Sequence, residues 1–429
     1  MFAEDVGLLP EHATPPGALP SASGAPESAP EGAFTRLLRQ YRTQGATLTQ
    51  MLRVFWRAMD EGGFNAAIAA EVLRFNGKLF KGAAGDDYVL PLTPEQIDGL
   101  LRAAQANWQE VEPAIFGTLL ERALDPTERH ALGAHYTPRA YVERLVLPTV
   151  IEPLRADWAH AQAAALLLAR EAETLDGKAR EARLADARAE VRRFHHQLCT
   201  TRVLDPACGS GNFLYVTLEH LKRLEAEVLD TLEQLGDTQA RLGLEGETVT
   251  VQQLRGIETN PRAAALAELV LWIGWLQWQV RTQGRSSVAE PVLHDWRNIE
   301  CRDAVLAYDA QRPALDPQGR PLTRWDGVSF KPHPVTGEPV PNEAAQVPHW
   351  QFETPRRADW PKADFIVGNP PFLGGSKKRG ELGDDYFNAL NRVYKDRIPG
   401  GADLVTYWFE KARAQIEMGK ARHVGLVAT

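Results

Sequence analysis

The chain has 429 residues, 44% hydrophobic and 24% charged, with a net charge of −8 at pH 7, an ordinary balance for about two to three soluble domains with ample core. An acidic chain is not a general nucleic-acid coat, so any contact with nucleic acid has to be local. No run of ~18 apolar residues and no basic-then-apolar leader occurs, which predicts a cytoplasmic location, and three cysteines without C-x-x-C spacing predict neither a disulfide framework nor a metal site.

Residues 1–10 resemble the tail of a helix stopped at Gly7 and Pro10. Residues 11–33 are Pro, Ala, Ser, Gly and Glu without periodicity and read as a disordered loop. From Phe34 to about Gln109 the spacing is helical throughout (Leu37, Leu38, Tyr41; Leu52, Phe55, Trp56, Met59; Ile97, Leu100, Leu101), and Thr93-Pro94 starts the last of these helices with a capping hydroxyl and Pro at its first position. No catalytic constellation appears there. At Tyr136-Thr137-Pro138, Thr137 reads as an N-cap and Pro138 as the first helical residue, so Tyr136 lies at a helix mouth able to receive a carboxylate or an aromatic group. Tyr136 taken alone is more often a packing tyrosine. Residues 155–198, rich in Ala, Arg and Glu and broken at Asp176-Gly177, predict an antiparallel helical hairpin, with His195-His196 solvated.

The α/β part opens at Arg202–Phe213. A strand ends on Asp205, the turn Asp205-Pro206-Ala207-Cys208-Gly209-Ser210-Gly211 follows, and a long helix starts near Phe213. Gly209 and Gly211 permit close backbone approach to a ligand at that helix mouth. A dinucleotide fits poorly. Leu214 stands where the third glycine of G-x-G-x-x-G belongs, and the next strand-end acid, Glu258, lies far beyond the ~20 residues of that fingerprint. Glu258 is placed to accept both hydroxyls of a ribose, or else to cap the helix after Asn260-Pro261. Trp272, Trp275 and Trp278 share one face of an apolar helix and read as core or interface. Asn298–Ala304 looks like a third strand ending on Asp303, residues 307–360 like a long loop, Asp403–Ala414 like a helix and His423–Ala428 like a further strand.

The distinctive stretch is Asp364–Phe372. Phe365–Gly368 reads as a short buried strand that breaks into Asn369-Pro370-Pro371-Phe372. The two prolines make that turn stiff, and ligands of open α/β sheets sit at the carboxyl ends of strands. The Asn369 amide oxygen and the Pro370 carbonyl can each accept one hydrogen of a planar exocyclic amine, while Phe372 stacks on its ring. Both protons drawn to acceptors localise the nitrogen lone pair for attack on a sulfonium methyl group. The residues alone leave open a plain proline-rich turn. The basic stretch Leu373–Gly380 could follow a phosphate backbone or be a solvated loop.

With Leu204–Phe213, Glu258, Asp303 and Asn369–Phe372 in this order, the chain resembles amino-group DNA methyltransferases that use S-adenosylmethionine. The Gly133–Pro138 stretch ahead of the cofactor strand resembles the gamma order of the N6-adenine enzymes. Phe75–Phe80, Pro113–Gly117, Gly133–Pro138, Gly256–Pro261 and Gly380–Tyr386 resemble the MmeI-like methyltransferases of bacterial restriction and phage-defence systems. The resemblance implies a class I methyltransferase (Rossmann-like) α/β sheet of order 3-2-1-4-5-7-6. It implies a cofactor held by Tyr136, Thr137, Asp205, Ala207, Gly209, Gly211, Phe213, Glu258 and Asp303, and a target adenine of double-stranded DNA flipped onto Asn369, Pro370, Pro371 and Phe372. Asp303 would accept from the cofactor's adenine amine. Other restriction or defence subunits are further implied partners; no membrane is. The same turn in this fold also serves protein amides and RNA bases, which is the alternative reading, as is an inactive cofactor-binding fragment.

The expected organisation is a helix remnant and loop over 1–33, a helical spacer over 34–132 and the methyltransferase domain over 133–429, with the 155–198 insert and the 307–360 loop inside it. Full-length relatives carry an N-terminal nuclease, two further strands and a target-recognition domain. No Glu-x-Lys triplet occurs here and Thr429 falls near the fifth strand, so the sheet is expected to be incomplete at the C-terminus and the chain to be a fragment.

Overall fold

The computed structural model describes residues 1–7, 9, 32–74, 80, 89–117, 119, 137–237, 247–283, 297–326, 329–375 and 377–428. Tyr136 and the loop predicted over 11–33, apart from Gly32 and Ala33, lie outside them. The chain divides into two compact units, Met1–Phe116 with Thr250–Gln252 and Glu268–Asn298, and Gly117–Val249 with Gln253–Ala267 and Ile299–Thr429.

In the first unit, helices α1 (Ala33–Gln40), α2 (Gly45–Glu61) and α3 (Pro94–Ala103) follow the predicted periodicity. Leu37, Leu38, Leu52, Phe55, Met59 and Ile97 are buried together with Trp272, Ile273 and Leu276. Thr93 caps α3 as expected, in a reciprocal pair in which its hydroxyl accepts from the Gln96 N–H and its own N–H donates to the Gln96 side chain. The unit is not wholly helical, however. Gly62 and Gly63, at φ +78° and +103°, stop α2 and lead into a hairpin of β1 (Gly63–Asn65) and β2 (Ala70–Val72). The buried Asn65 closes its turn by accepting from the Ala67 N–H at 2.8 Å.

The second unit begins with α4 (Arg139–Val146), a π-helical turn over Leu147–Ile151, and the paired helices α5 (Glu152–Glu173) and α6 (Gly177–Thr200). Then come β3 (Val203–Asp205), α7 (Asn212–Gln234), β4 (Leu254–Glu258), α8 (Pro261–Gln283, which continues into the first unit) and β5 (Ile299–Cys301). After the segment 306–357 the chain adds β14 (Phe365–Gly368), α9 (Lys378–Leu382), α10 (Asp384–Val393), α11 (Thr406–Glu417) and β15 (His423–Leu426). The central sheet is parallel throughout, in the order β15-β14-β3-β4-β5. That is the order expected for the first five strands. Parallel pairing places the carboxyl ends of β3, β4 and β14 on one side of the sheet, and β3 and β14 are buried at every residue.

The segment expected to be a long loop is a two-stranded ribbon instead. Its strands nest in antiparallel pairs: β6 (Leu306–Ala307) with β13 (Arg356–Arg357), β7 (Ala310–Pro313) with β12 (Trp350–Glu353), β8 (Thr323–Trp325) with β11 (Gln346–Pro348), and β9 (Phe330–Pro332) with β10 (Pro339–Pro341). A two-stranded ribbon has two open edges, so prolines such as Pro313, Pro332, Pro339 and Pro348 are tolerated in its strands. Its base is fastened by Phe352, which meets Tyr308 and Tyr386 edge to face, and by the Trp350 N–H donating to Asp385 at 2.7 Å.

Candidate active site

The sheet delivers Asp205, Glu258 and Gly368 side by side. Asp205 accepts the Ala207 N–H at 3.0 Å, which folds the chain back after β3, and the Trp408 indole on α11 holds the Pro206 carbonyl at 3.0 Å. The glycine turn then closes onto β4: the Cys208 N–H donates to the Ile257 carbonyl (3.1 Å) and the Gly209 N–H to Glu258 Oε2 (2.9 Å). Gly209 and Gly211 have φ +53° and +83°, which glycine adopts without strain. Among the described residues a Cβ on Gly209 would meet nothing within 4 Å, whereas one on Gly211 would lie 3.1 Å from Ala267. Cys208 is buried against Gly256 as a packing residue, and Phe213 is buried in the first turn of α7.

Asn369 follows β14 directly. A Cβ added at Gly368 would sit 2.5 Å from Asp205 Oδ1, which puts the asparagine turn against the glycine turn. Thr137 joins the two. Its hydroxyl accepts from Asn369 Nδ2 at 3.1 Å and its carbonyl from Asn212 Nδ2 at 2.6 Å. This corrects the expected cap: α4 starts at Arg139, Pro138 occupies the cap position, and no side chain caps the helix, because the Thr137 hydroxyl is engaged by Asn369.

Three oxygens here are sealed from solvent and have no hydrogen-bond partner among the described residues: Asp205 Oδ2, Asn212 Oδ1 and Asn369 Oδ1. Buried polar atoms are seldom left so, since each costs about 1–3 kcal/mol. Burial pushes the Asp205 carboxyl up to about 8; the Ala207 N–H opposes this and the charge of Glu258 adds to it. Pro370 is buried, and Pro371 and Phe372 are half-buried.

Asp303 lies just beyond β5 rather than at its end. Its Oδ1 accepts the N–H groups of Val305 (2.7 Å) and Leu306 (3.1 Å), and its Oδ2 accepts from the Tyr386 hydroxyl at 2.5 Å. Glu258 Oε1 likewise accepts the Asn260 N–H at 2.8 Å. Both acids are therefore oriented by the chain itself and retain lone pairs for a ligand. The sequence reasoning passed over Asn212, Tyr386 and Trp408. Only Asn212 carried a signal, as a polar residue opening an apolar helix beside Gly211.

Two further expectations are overturned. Lys378 does not belong to a solvated basic loop; it is fully buried, its ammonium lies 5.5 Å and 5.3 Å from the Phe387 and Tyr407 ring centres, and it donates to the Gly400 carbonyl. His195 is not solvated either. Its Nε2 lies 3.3 Å from Glu225 Oε1 and 3.4 Å from Cys199 Sγ. Glu225 Oε1 also accepts from the Thr248 hydroxyl (2.7 Å) and the Val249 N–H (2.8 Å), and Oε2 takes the Lys222 ammonium at 2.8 Å. His195, Cys199 and Glu225 have the side-chain types of a metal site, but both carboxylate oxygens are engaged within the chain and Lys222 supplies the countercharge.

The family model for the MmeI DNA-methyltransferase domain matches residues 181–429, more than half of the chain. The chain belongs to the MmeI DNA-methyltransferase family. DNA methyltransferase A of Bacillus subtilis (strain 168) is 25% identical over 310 residues, 71% of this chain and 26% of that protein. A putative type II restriction enzyme and methyltransferase of Methanocaldococcus jannaschii is 24% identical over 208 residues, 46% of this chain and 17% of that protein. The structure of the type IIL restriction-modification enzyme MmeI in complex with DNA matches with a TM-score of 0.60 at 22% identity, over 97% of this chain and 44% of that one, a likeness of fold. This member of the MmeI family thus spans about a quarter or less of the curated relatives it matches.

Proposed function

We propose that this chain is the catalytic part of a site-specific DNA methyltransferase that modifies the N6 amine of a flipped adenine, within a bacterial restriction-modification or phage-defence system. The observation that carries the reading is the buried, unpartnered Asn369 Oδ1 set against the cofactor turn. It is an acceptor of the kind an exocyclic amine requires, at the mouth of the strand where ligands of open α/β sheets sit. The parallel sheet, with its 3-2-1-4-5 order, supports a class I methyltransferase fold.

S-adenosylmethionine fits the residues present: among the described residues Asp205 Oδ2 and Asn212 Oδ1 are buried acceptors without partners, suited to a cationic amine, and nothing stands within 4 Å of a Cβ placed on Gly209. When bound, it supplies the electrophilic methyl group. Glu258, braced by the Gly209 and Asn260 N–H groups, would take the ribose hydroxyls, and Asp303, braced by Tyr386, the adenine amine. Asn369 Oδ1 and the Pro370 carbonyl each accept one hydrogen of the target amine and localise its lone pair, while Phe372 stacks on the base. No covalent enzyme intermediate is needed, and no cysteine lies at the asparagine turn.

The test is transfer of labelled methyl from S-adenosylmethionine to unmethylated double-stranded DNA, followed by nucleoside analysis. N6-methyladenine is expected, and its loss in Asn369→Ala. Label in cytosine, or only in RNA or protein, contradicts the reading.

A further inference from the structure

An asparagine amide has a donor end and an acceptor end of almost the same shape. Only the acceptor end can receive an amine hydrogen, so a clamp built on Asn369 works in one of its two orientations. The Thr137 hydroxyl, which can donate or accept, holds one end of the amide in place, and the target amine requires that end to be Nδ2. Thr137 Oγ1 accepts from Asn369 Nδ2 at 3.1 Å, which occupies the donor end and leaves Oδ1 as the unpartnered oxygen. Turning the amide over would set Nδ2 toward the amine, donor against donor.

Thr137 is itself anchored. Its carbonyl accepts from Asn212 Nδ2 at 2.6 Å, in the first turn of α7, and Pro138 restricts its backbone. Its hydroxyl does not cap α4, whose cap position is Pro138. The carbonyl contact occupies the donor end of Asn212, whose Oδ1 has no partner among the described residues.

We propose that Thr137 is a positioning residue for methyl transfer, its hydroxyl holding the Asn369 amide with Oδ1 toward the target amine. This rests on the function proposed above and differs from the role the family resemblance implied for Thr137, contact with the cofactor.

The two roles separate in one experiment on the full chain, with wild type, Asn369→Ala, Thr137→Val and Thr137→Ser compared in labelled transfer to DNA and in cofactor titration. Thr137→Val removes the hydroxyl at nearly constant volume and is expected to lower kcat roughly 100-fold, the size of effect a misplaced reacting group produces. Cofactor affinity should stay within about twofold, and Thr137→Ser should recover most of the turnover. Full turnover in Thr137→Val, or a loss confined to cofactor affinity, overturns the proposal. If Asn369→Ala is also active, the proposed function fails instead. A second measurement needs no turnover: in 15N-labelled protein the Asn369 side-chain amide hydrogens, assigned from their absence in Asn369→Ala, should exchange slowly in wild type and Thr137→Ser and quickly in Thr137→Val. Equal exchange in all three overturns the proposal even where no methyl is transferred.

Discussion

Two buried carboxyls in the same unit have opposite surroundings. Glu225 is bonded at both oxygens: although burial alone would raise it, the bonds from His195, Lys222 and Thr248 hold its carboxyl down to about 2. Among the described residues Asp205 has a single backbone donor on one oxygen and none on the other, and burial pushes it up to about 8. The first acid is bonded at both oxygens and ties α6, α7 and the segment before β4 together. The second has an oxygen with no partner among the described residues, as do two amide oxygens of the same site. Unmet hydrogen-bonding capacity, rather than burial or charge, is what separates a ligand site from an internal brace.

The contrast can be broken at either end. Glu225→Ala strips the buried Lys222 of its counterion and should cost about 3–5 kcal/mol of stability in urea unfolding; an unchanged midpoint would show that the brace carries no load. Asn369→Ala should leave that midpoint in place while raising the barrier to transfer by about 2.7–4 kcal/mol, seen as a fall in kcat. Gly368→Ala forces a methyl group toward Asp205 Oδ1 and should lose about 1–3 kcal/mol of stability, together with cofactor affinity.

The acid that lacks partners also gives stability a slope with pH. Folded Asp205 keeps its proton up to about pH 8, whereas an unfolded aspartate releases it near pH ~3.9, so the folded state binds the extra proton between those values. Without ligand, this group makes stability fall as pH rises across that window, by at most ~1.4 kcal/mol per pH unit. Asp205→Asn should flatten the slope in thermal unfolding at stepped pH. Glu225 acts in reverse: its contribution is present above pH ~4.3 and lost as pH falls toward about 2.

The sheet and the asparagine turn were legible because their signals are local. Phe365–Gly368 is an apolar run cut off by two prolines, and Val203–Asp205 ends in a glycine turn before a long helix. Long-range bonds were not legible. Nothing near Thr137 says that its hydroxyl serves Asn369, 232 positions away, rather than its own helix. Lys378 reads as solvated among Lys377 and Arg379, but Phe387, Tyr407 and the Gly400 carbonyl enclose it. His195 likewise sits in a polar helical run, and its partner Glu225 comes from the next helix. The ribbon over Leu306–Arg357 escaped for a different reason: proline-rich strands with two open edges show neither alternation nor an apolar run.

The most direct test of the orphaned acceptors is calorimetric titration of the chain with S-adenosylmethionine near pH 7, in two buffers of different ionisation enthalpy. A cationic ligand taken up by Asp205 must drive off the proton that burial keeps there, so the account predicts release of nearly one proton in wild type and none in Asp205→Asn. Binding with no proton release in wild type, or the same release in Asp205→Asn, would contradict it.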